Sequence, residues 1–430
     1  MSTFTDPLIQ ETVVSRRLPS GLDLRVIPRR GQRRTFATFA THYGSIDSHF
    51  RVPSTGQDVA VPDGIAHFLE HKMFAKPDGD VFDDFGRLGA SANAYTEYLT
   101  TTYLFSTTEH VEECLTVLVD FVQQPYFTKE NVEKEQGIIE QEIRMYLDMP
   151  GDRLHSNLAR ALYQKHPARL DIAGSVESIR QITPDVLYQC YETFYHPSNM
   201  LLTVIGDVDP ERILDLVADN QARKDYRPQG EIIRYLPEEP VPVAEPWVEQ
   251  PMPVSLQLVA LGYKDRLGAE SLTGDALLRR EMATGLFWNM AVGKSSALFA
   301  ELYSEGLVND RFSARYAASP TFAHSELGGE SPDPHRLVDR LVKDLPHAPL
   351  TADALARQKK RELGDYMTLF NSPGDLAYVY NSLHVRAVDL FSFIPILDHV
   401  SLQDIEERRH EHLKDVGRAV SVITPAVTHA

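Results

Sequence analysis

The run IAHFLEHKMF carries two histidines and a glutamate close together, His67, Glu70 and His71. On a helix, His67 and His71 stand one turn apart on a shared face, while Glu70 lies about 60° to one side of His67. Two imidazole nitrogens presented this way can converge on one tetrahedral metal ion, with a carboxylate beside its open position. Zn²⁺ favours such donors, and a catalytic site takes three ligands from the protein and leaves the fourth position to water. The ion brings the pKa of that water to about 7, and a neighbouring carboxylate can then take its proton as it attacks a carbonyl. Other divalent ions share this donor set. His67 and His71 are therefore the candidate ligands, and Glu70 the candidate general base.

A third ligand has to come from another buried surface. After the turn PYFT, the residues Val132, Glu135, Ile139, Glu142 or Ile143, and Tyr146 recur at the spacing of a core-facing helical stripe. Glu135 and Glu142 stand where apolar residues belong. Burying a carboxylate without a partner is costly, so a cation is the natural compensation. Glu142 is the expected third ligand, and Glu135, one level up the same face, the carboxylate that orients a histidine or tunes the metal. Glu140 is about 200° around the helix from Glu142 and points away.

The elements that must hold these residues can be read in order. SRRLPSGLDLRVIPRR gives two short strands around a Pro-Ser-Gly turn, and RTFATFATHYGS a third. Residues 63–74 are helical, and GASANAYTEYLTTTYLFST is a strand pair rich in Tyr and Thr. HVEECLTVLVDFVQQP and TKENVEKEQGIIEQEIRMYLDM are two helices, and NMLLTVIGDVD is a central strand. Between Lys224 and Pro253 seven prolines fall in thirty positions, which marks an extended linker.

The second half then restarts with VSLQLVALGYK and repeats the order of the first. Sliding the halves by 223 positions sets Thr128 over Thr351, Gln358 opposite Glu135 and Asp365 opposite Glu142. No HxxEH occurs there, so the repeat should carry no equivalent metal. The expected fold is α+β, with two similar domains, each a mainly antiparallel sheet with helices packed on one face. The zinc-bearing domain is placed at 1–223, the linker at 224–253 and the second domain at 254–430.

Length and composition agree with this outline. A chain of 430 residues exceeds one ordinary core, and 43% hydrophobic with 24% charged residues is a globular composition. A formal charge of -18 argues against coating nucleic acid or an anionic membrane, and favours basic segments in substrates or partners. No stretch approaches a membrane span, and the opening MSTFTDPLIQETVVSRRLPSG has no apolar run behind a basic one, so a cytoplasmic location is expected. Cys114 and Cys190 both lie in apolar helical patterns and are read as small buried hydrophobes.

HxxEH is the inverted zinc-peptidase motif, and the chain resembles the pitrilysin family of inverzincins, which includes insulin-degrading enzyme and the mitochondrial processing peptidase. LPSGL, GIAHFLEHKMF, GASANAYTEYLTTTYLF, EKEQGIIEQEI and YHPSNMLLTVIGDVDP carry the resemblance, which covers nearly the whole chain and is most specific in the first half. By it, His67, His71 and Glu142 match the zinc ligands, Glu70 the general base and Glu135 the supporting carboxylate. The resemblance further implies a half-clam of two domains. It also implies a peptide substrate added as a strand along SANAYTEY, with Asn93 and Ala94 supplying backbone hydrogen bonds.

The family's opposite half-clam contributes an arginine and a tyrosine seven residues apart to hold the substrate carbonyl and the oxyanion. Here SSALFAELYSEGLVNDRF places Tyr303 and Asn309 near those positions, while Arg311 and Tyr316 stand at the wrong spacing. The chain thus resembles the catalytic member of bacterial two-chain enzymes, whose homologous partner lacks zinc ligands and supplies the Arg/Tyr pair. The expected function is a zinc-dependent endopeptidase acting on short or unfolded peptides, leader or precursor peptides among them, in an enclosed chamber. Two alternatives compete with it. A catalytically silent docking subunit would have no need of the intact metal set, and a self-sufficient homodimer conflicts with Tyr303 and Asn309.

Overall fold

A computed structural model describes residues 1–77, 79–266 and 272–426 of the chain. The described residues form two compact units that are discontinuous in sequence. The first comprises residues 1–143, 171–236 and 367–385, and the second 144–170, 237–366 and the residues from 386 onward.

The first unit is built on a seven-stranded sheet. Its order is Ser2–Thr5, Thr12–Arg17, Asp23–Pro28, Met200–Gly206, Thr35–Thr41, Thr101–Thr107 and Ser91–Thr96. Met200–Gly206, in the sequence MLLTVIG, is buried along its whole length. It pairs in parallel with Asp23–Pro28 and antiparallel with Thr35–Thr41. All other pairings in this sheet are antiparallel. Alternation along the strands sends Ala37, Phe39, Tyr103, Phe105, Leu202 and Val204 into one core, which they share with Phe68, Leu69, Leu115 and Leu118 from two helices, Ile65–Met73 and Val111–Val122. Cys114 and Cys190 are buried in that core as free thiols.

The opposite face of this sheet is also covered. Phe36, Thr38 and Thr203 project there, and helix Pro373–Val385 lies on the strands that carry them. Fully buried Asn381 from that helix donates to Thr38 Oγ1 at 3.0 Å and lies 3.3 Å from Thr203 Oγ1. The expectation of helices on one face thus gains a second layer that the repeat alone did not reveal.

The second unit has a five-stranded sheet in the order Trp247–Met252, Arg418–Pro425, Gln257–Lys264, Ala323–Ser331 and Ser313–Ala318. It reproduces the last five strands of the first sheet, from Asp23–Pro28 to the edge strand Ser91–Thr96, including one parallel pair in the same place. Helix Pro150–Leu162 lies on this sheet, where Gly262 leaves room for Leu158 and Leu162. The helices at 150–162 and 373–385 both open with Pro-Gly-Asp and are spaced by 223 positions. Each belongs to the unit other than the one that holds most of the long helix preceding it. The chain is therefore not divided into the continuous stretches 1–223 and 254–430.

The proline-rich segment is likewise not a free spacer. Ile233–Arg234 pairs with His49–Arg51, and Trp247–Met252 is an edge strand of the second sheet. A proline such as Pro251 is tolerated at an edge, where its missing N–H costs no ladder bond. Among the described residues no helix is long and apolar enough to cross a membrane.

Candidate metal centre

The motif helix, Ile65–Met73, buries Phe68, Leu69 and Met73 and so fixes which face His67 and His71 present. Its start is pinned by Gly64, whose φ of 86° lies in the left-handed region. A Cβ there would meet Ala173 O at 2.4 Å. Gly174, at φ 76°, makes the reciprocal close approach to Asp63 O. The long helix Lys129–Leu147 buries Val132, Ile139 and Ile143, while Tyr146, read from the sequence as part of the same stripe, is exposed. Glu140 points away, as expected, and pairs with Arg180 at 2.8 Å.

These two helices bring His67, His71 and Glu142 together, with one ligand atom from each lying within 4.8 Å of the others. His67 Nε2 is 3.7 Å from Glu142 Oε1, and His71 Nε2 is 3.4 Å from Glu142 Oε2. A tetrahedron with zinc bond lengths has edges of about 3.3 Å, so the three groups stand at the separation such an ion requires. Behind His71, Nδ1 lies 3.1 Å from Glu135 Oε1. That contact favours the Nδ1–H tautomer and turns the Nε2 lone pair toward Glu142.

The electrostatics suit the same chemistry. Burial, with the neighbouring His71, pushes the His67 imidazole down to about 3, so it stays neutral and able to donate a lone pair. Burial opposes charge on His71, but its hydrogen bond to Glu135 and the carboxylates of Glu70, Glu135 and Glu142 outweigh that and raise its pKa. Burial alone would also raise Glu135, yet His71 and Lys72 hold it below the ordinary carboxylate range. The donor set, its neutral imidazole and its spacing fit a divalent cation.

Glu70 is buried beside this cluster, and burial raises its carboxyl above the ordinary range. Its Oε2 accepts a hydrogen bond from Thr96 Oγ1 at 2.7 Å. Neither Thr96 nor Lys72 stood out in the sequence. Lys72 has a side chain only 3% exposed and reaches Glu135 Oε2 at 3.4 Å. A lysine directly after the motif on an apolar helix is a faint signal of a buried ion pair, and nothing in the local pattern identified its partner.

Asn93 and Ala94 lie in Ser91–Thr96, the edge strand of the seven-stranded sheet. Ala94 N–H donates to Asn93 Oδ1 at 2.9 Å, so this backbone donor already has a partner from its own strand. In the second unit, Tyr303 is half exposed, and Asn309 donates to Glu330 Oε2 at 2.6 Å. Arg311 pairs with the same carboxylate at 2.7 Å, and Tyr316 donates to Asp265. Asp365, opposite Glu142 in the repeat, is exposed, and Gln358, opposite Glu135, is buried.

Comparison with known proteins bears on the family of the chain. Residues 57–176 match the family described as Insulinase (Peptidase family M16), and residues 181–343 the Peptidase M16 inactive domain. A Bacillus subtilis protein named Uncharacterized zinc protease YmfH is 42% identical over 419 residues, which is 97% of each chain. A solved structure from Alicyclobacillus acidocaldarius, described as M16-like, has a TM-score of 0.92 at 38% identity and covers 97% of this chain and 99% of that one. Pitrilysin shares the fold, with a TM-score of 0.73 at 14% identity over 98% of this chain and 46% of its own. With a relative aligned over 97% of each chain and family matches in both halves, the chain belongs to the M16 peptidase family, the insulinase and pitrilysin group.

Proposed function

We propose that the protein is a zinc-dependent endopeptidase of short or unfolded peptides and the catalytic member of a two-chain enzyme. The observation that carries the proposal is the convergence of His67, His71 and Glu142, with Glu70 buried beside them and Glu135 behind His71. In this reading those three residues hold Zn²⁺, which supplies Lewis acidity to polarise the scissile carbonyl and acidify water. Glu70 receives the proton of the attacking water and passes it to the leaving amine. Its Oε2 is held by Thr96, which leaves Oε1 for the proton. Glu135 keeps His71 in one tautomer, and Lys72 balances the charge of Glu135.

The peptide adds as a strand along Ser91–Thr96, the sheet edge that touches the motif helix. Main-chain pairing there demands little of the peptide's sequence. Ala94 N–H must first exchange Asn93 Oδ1 for a peptide carbonyl. The need for a second chain rests on Tyr303 and Asn309, which replace the arginine and tyrosine expected of a self-sufficient enzyme. A homologous chain without zinc ligands would supply that pair and close a chamber around the peptide.

The test uses the chain alone and mixed with a zinc-lacking homologue, with bound zinc and cleavage of a peptide pool measured for wild type and Glu70→Gln. One zinc per chain, cleavage only in the mixture, and loss of cleavage with zinc retained in Glu70→Gln are expected. Substoichiometric zinc in folded protein, or cleavage unchanged by Glu70→Gln, overturns the peptidase reading. Full activity of the isolated chain overturns the two-chain reading alone.

A further inference from the structure

Resting on the peptidase reading, we infer that Thr96 is a positioning residue that ties the proposed base Glu70 to the strand on which the peptide is laid. Thr96 is the last residue of the edge strand, on the face that Ala92 and Ala94 turn toward the core beneath the motif helix. Its hydroxyl carries one proton. Two oxygens compete for it, Glu70 Oε2 at 2.7 Å and Thr101 Oγ1 at 3.4 Å, and the shorter contact to a carboxylate takes it. Thr101 gives its own proton to Tyr43 O at 3.0 Å in a fully buried site, so it faces Thr96 only as the more distant, neutral acceptor.

The Thr96 side chain is itself constrained. A β-branched residue in a strand has few χ1 rotamers, so the hydroxyl is aimed by the backbone of the edge strand rather than by solvent. Glu70 is anchored on the motif helix and is 8% exposed. Among the described residues, Thr96 is the side chain that hydrogen-bonds its carboxylate. Without that donor, Oε2 would be a buried acceptor lacking a partner, and the carboxylate would be free to turn away from the place where it must meet water. A shift of about 1 Å in a reacting group can cost about 100-fold in rate. Because donor and peptide share one strand, the base is held in register with the peptide that the strand receives.

The experiment compares wild type, Thr96→Val and Thr96→Ser. Valine keeps the β-branched shape and removes the hydroxyl, while serine keeps the hydroxyl. Metal-free crystal structures give a readout independent of turnover. Glu70 Oε2 is expected within hydrogen-bond distance of residue 96 in wild type and Thr96→Ser, and displaced or spread over more than one position in Thr96→Val. In the zinc-loaded two-chain enzyme, Thr96→Val is expected to lower kcat by about 10- to 100-fold with KM and bound zinc within about twofold, and Thr96→Ser to recover most of that loss. An unmoved Glu70 in Thr96→Val, a kcat equal to wild type, or a Thr96→Ser variant as impaired as Thr96→Val overturns the inference. If wild type itself cleaves nothing, the peptidase reading fails, and the metal-free structures still decide whether Thr96 places Glu70.

Discussion

At the scale of single residues, the centre depends on carboxylates set behind the proposed ligands. Glu135 touches both His71 and Lys72 and is 13% exposed at its side chain. Glu135→Gln keeps the shape but removes the charge that holds His71 Nδ1–H and balances a buried ammonium. Zinc affinity should fall by about 10- to 100-fold, read by competition with a chromogenic chelator, while circular dichroism stays unchanged. The pairing of HFLEH with a carboxylate stripe was legible from residue type and spacing, because helical periodicity decides which groups share a face. Thr96 was not legible, since a threonine in a Tyr- and Thr-rich strand is ordinary until the strand is laid against the motif helix.

At the scale of elements, two features have measurable costs. Gly64 starts the motif helix from a left-handed conformation pressed against Ala173 O. Gly64→Ala should lose about 1–3 kcal/mol from backbone strain alone, with the clash adding to it, as measured by urea unfolding. In the second unit, the Asp265 side chain is 2% exposed and binds Arg408 at 2.6 Å and Arg280 at 2.8 Å. Burial would raise its carboxyl, but His412, Arg280 and Arg408 hold it far below the ordinary range. Because the folded pKa is the lower one, the stability Asp265 contributes is complete above its ordinary value of 3.8 and is lost as the pH falls below it. Asp265→Asn should cost about 3–5 kcal/mol near pH 7 and flatten the acid side of the stability profile. Ser325, His412 and Asp265 superficially resemble a nucleophilic triad, yet Ser325 and His412 are fully enclosed and Ser325 also accepts from Trp288 at 2.6 Å, so the cluster is structural.

At the scale of the whole molecule, zinc should act as a stabilising ligand. A metal that binds the folded chain stabilises it by about 4 kcal/mol at a thousandfold excess over its Kd. Chelation should therefore lower the Tm of wild type and leave His67→Ala unaffected, which differential scanning calorimetry would register. The duplication was legible because two long helices and two closing strands recur at nearly constant spacing. Unit membership was not. Helix 150–162 is an amphipathic segment whose sequence specifies a buried face without naming the sheet that buries it, and helix 373–385 is too weakly patterned to specify even the face.

Local periodicity and the cost of burying charge were enough to pick out the candidate metal ligands, the candidate base and the doubled α+β plan. Packing between elements set the rest. It placed Glu142 within 3.4 Å of His71, gave Glu70 its donor from an edge strand, and covered the second face of the first sheet with residues far along the chain. The physical reason is common to all three. Hydrogen-bond partners and buried faces are chosen by which surfaces meet in space, and spacing along a chain carries that information only within a single helix or strand.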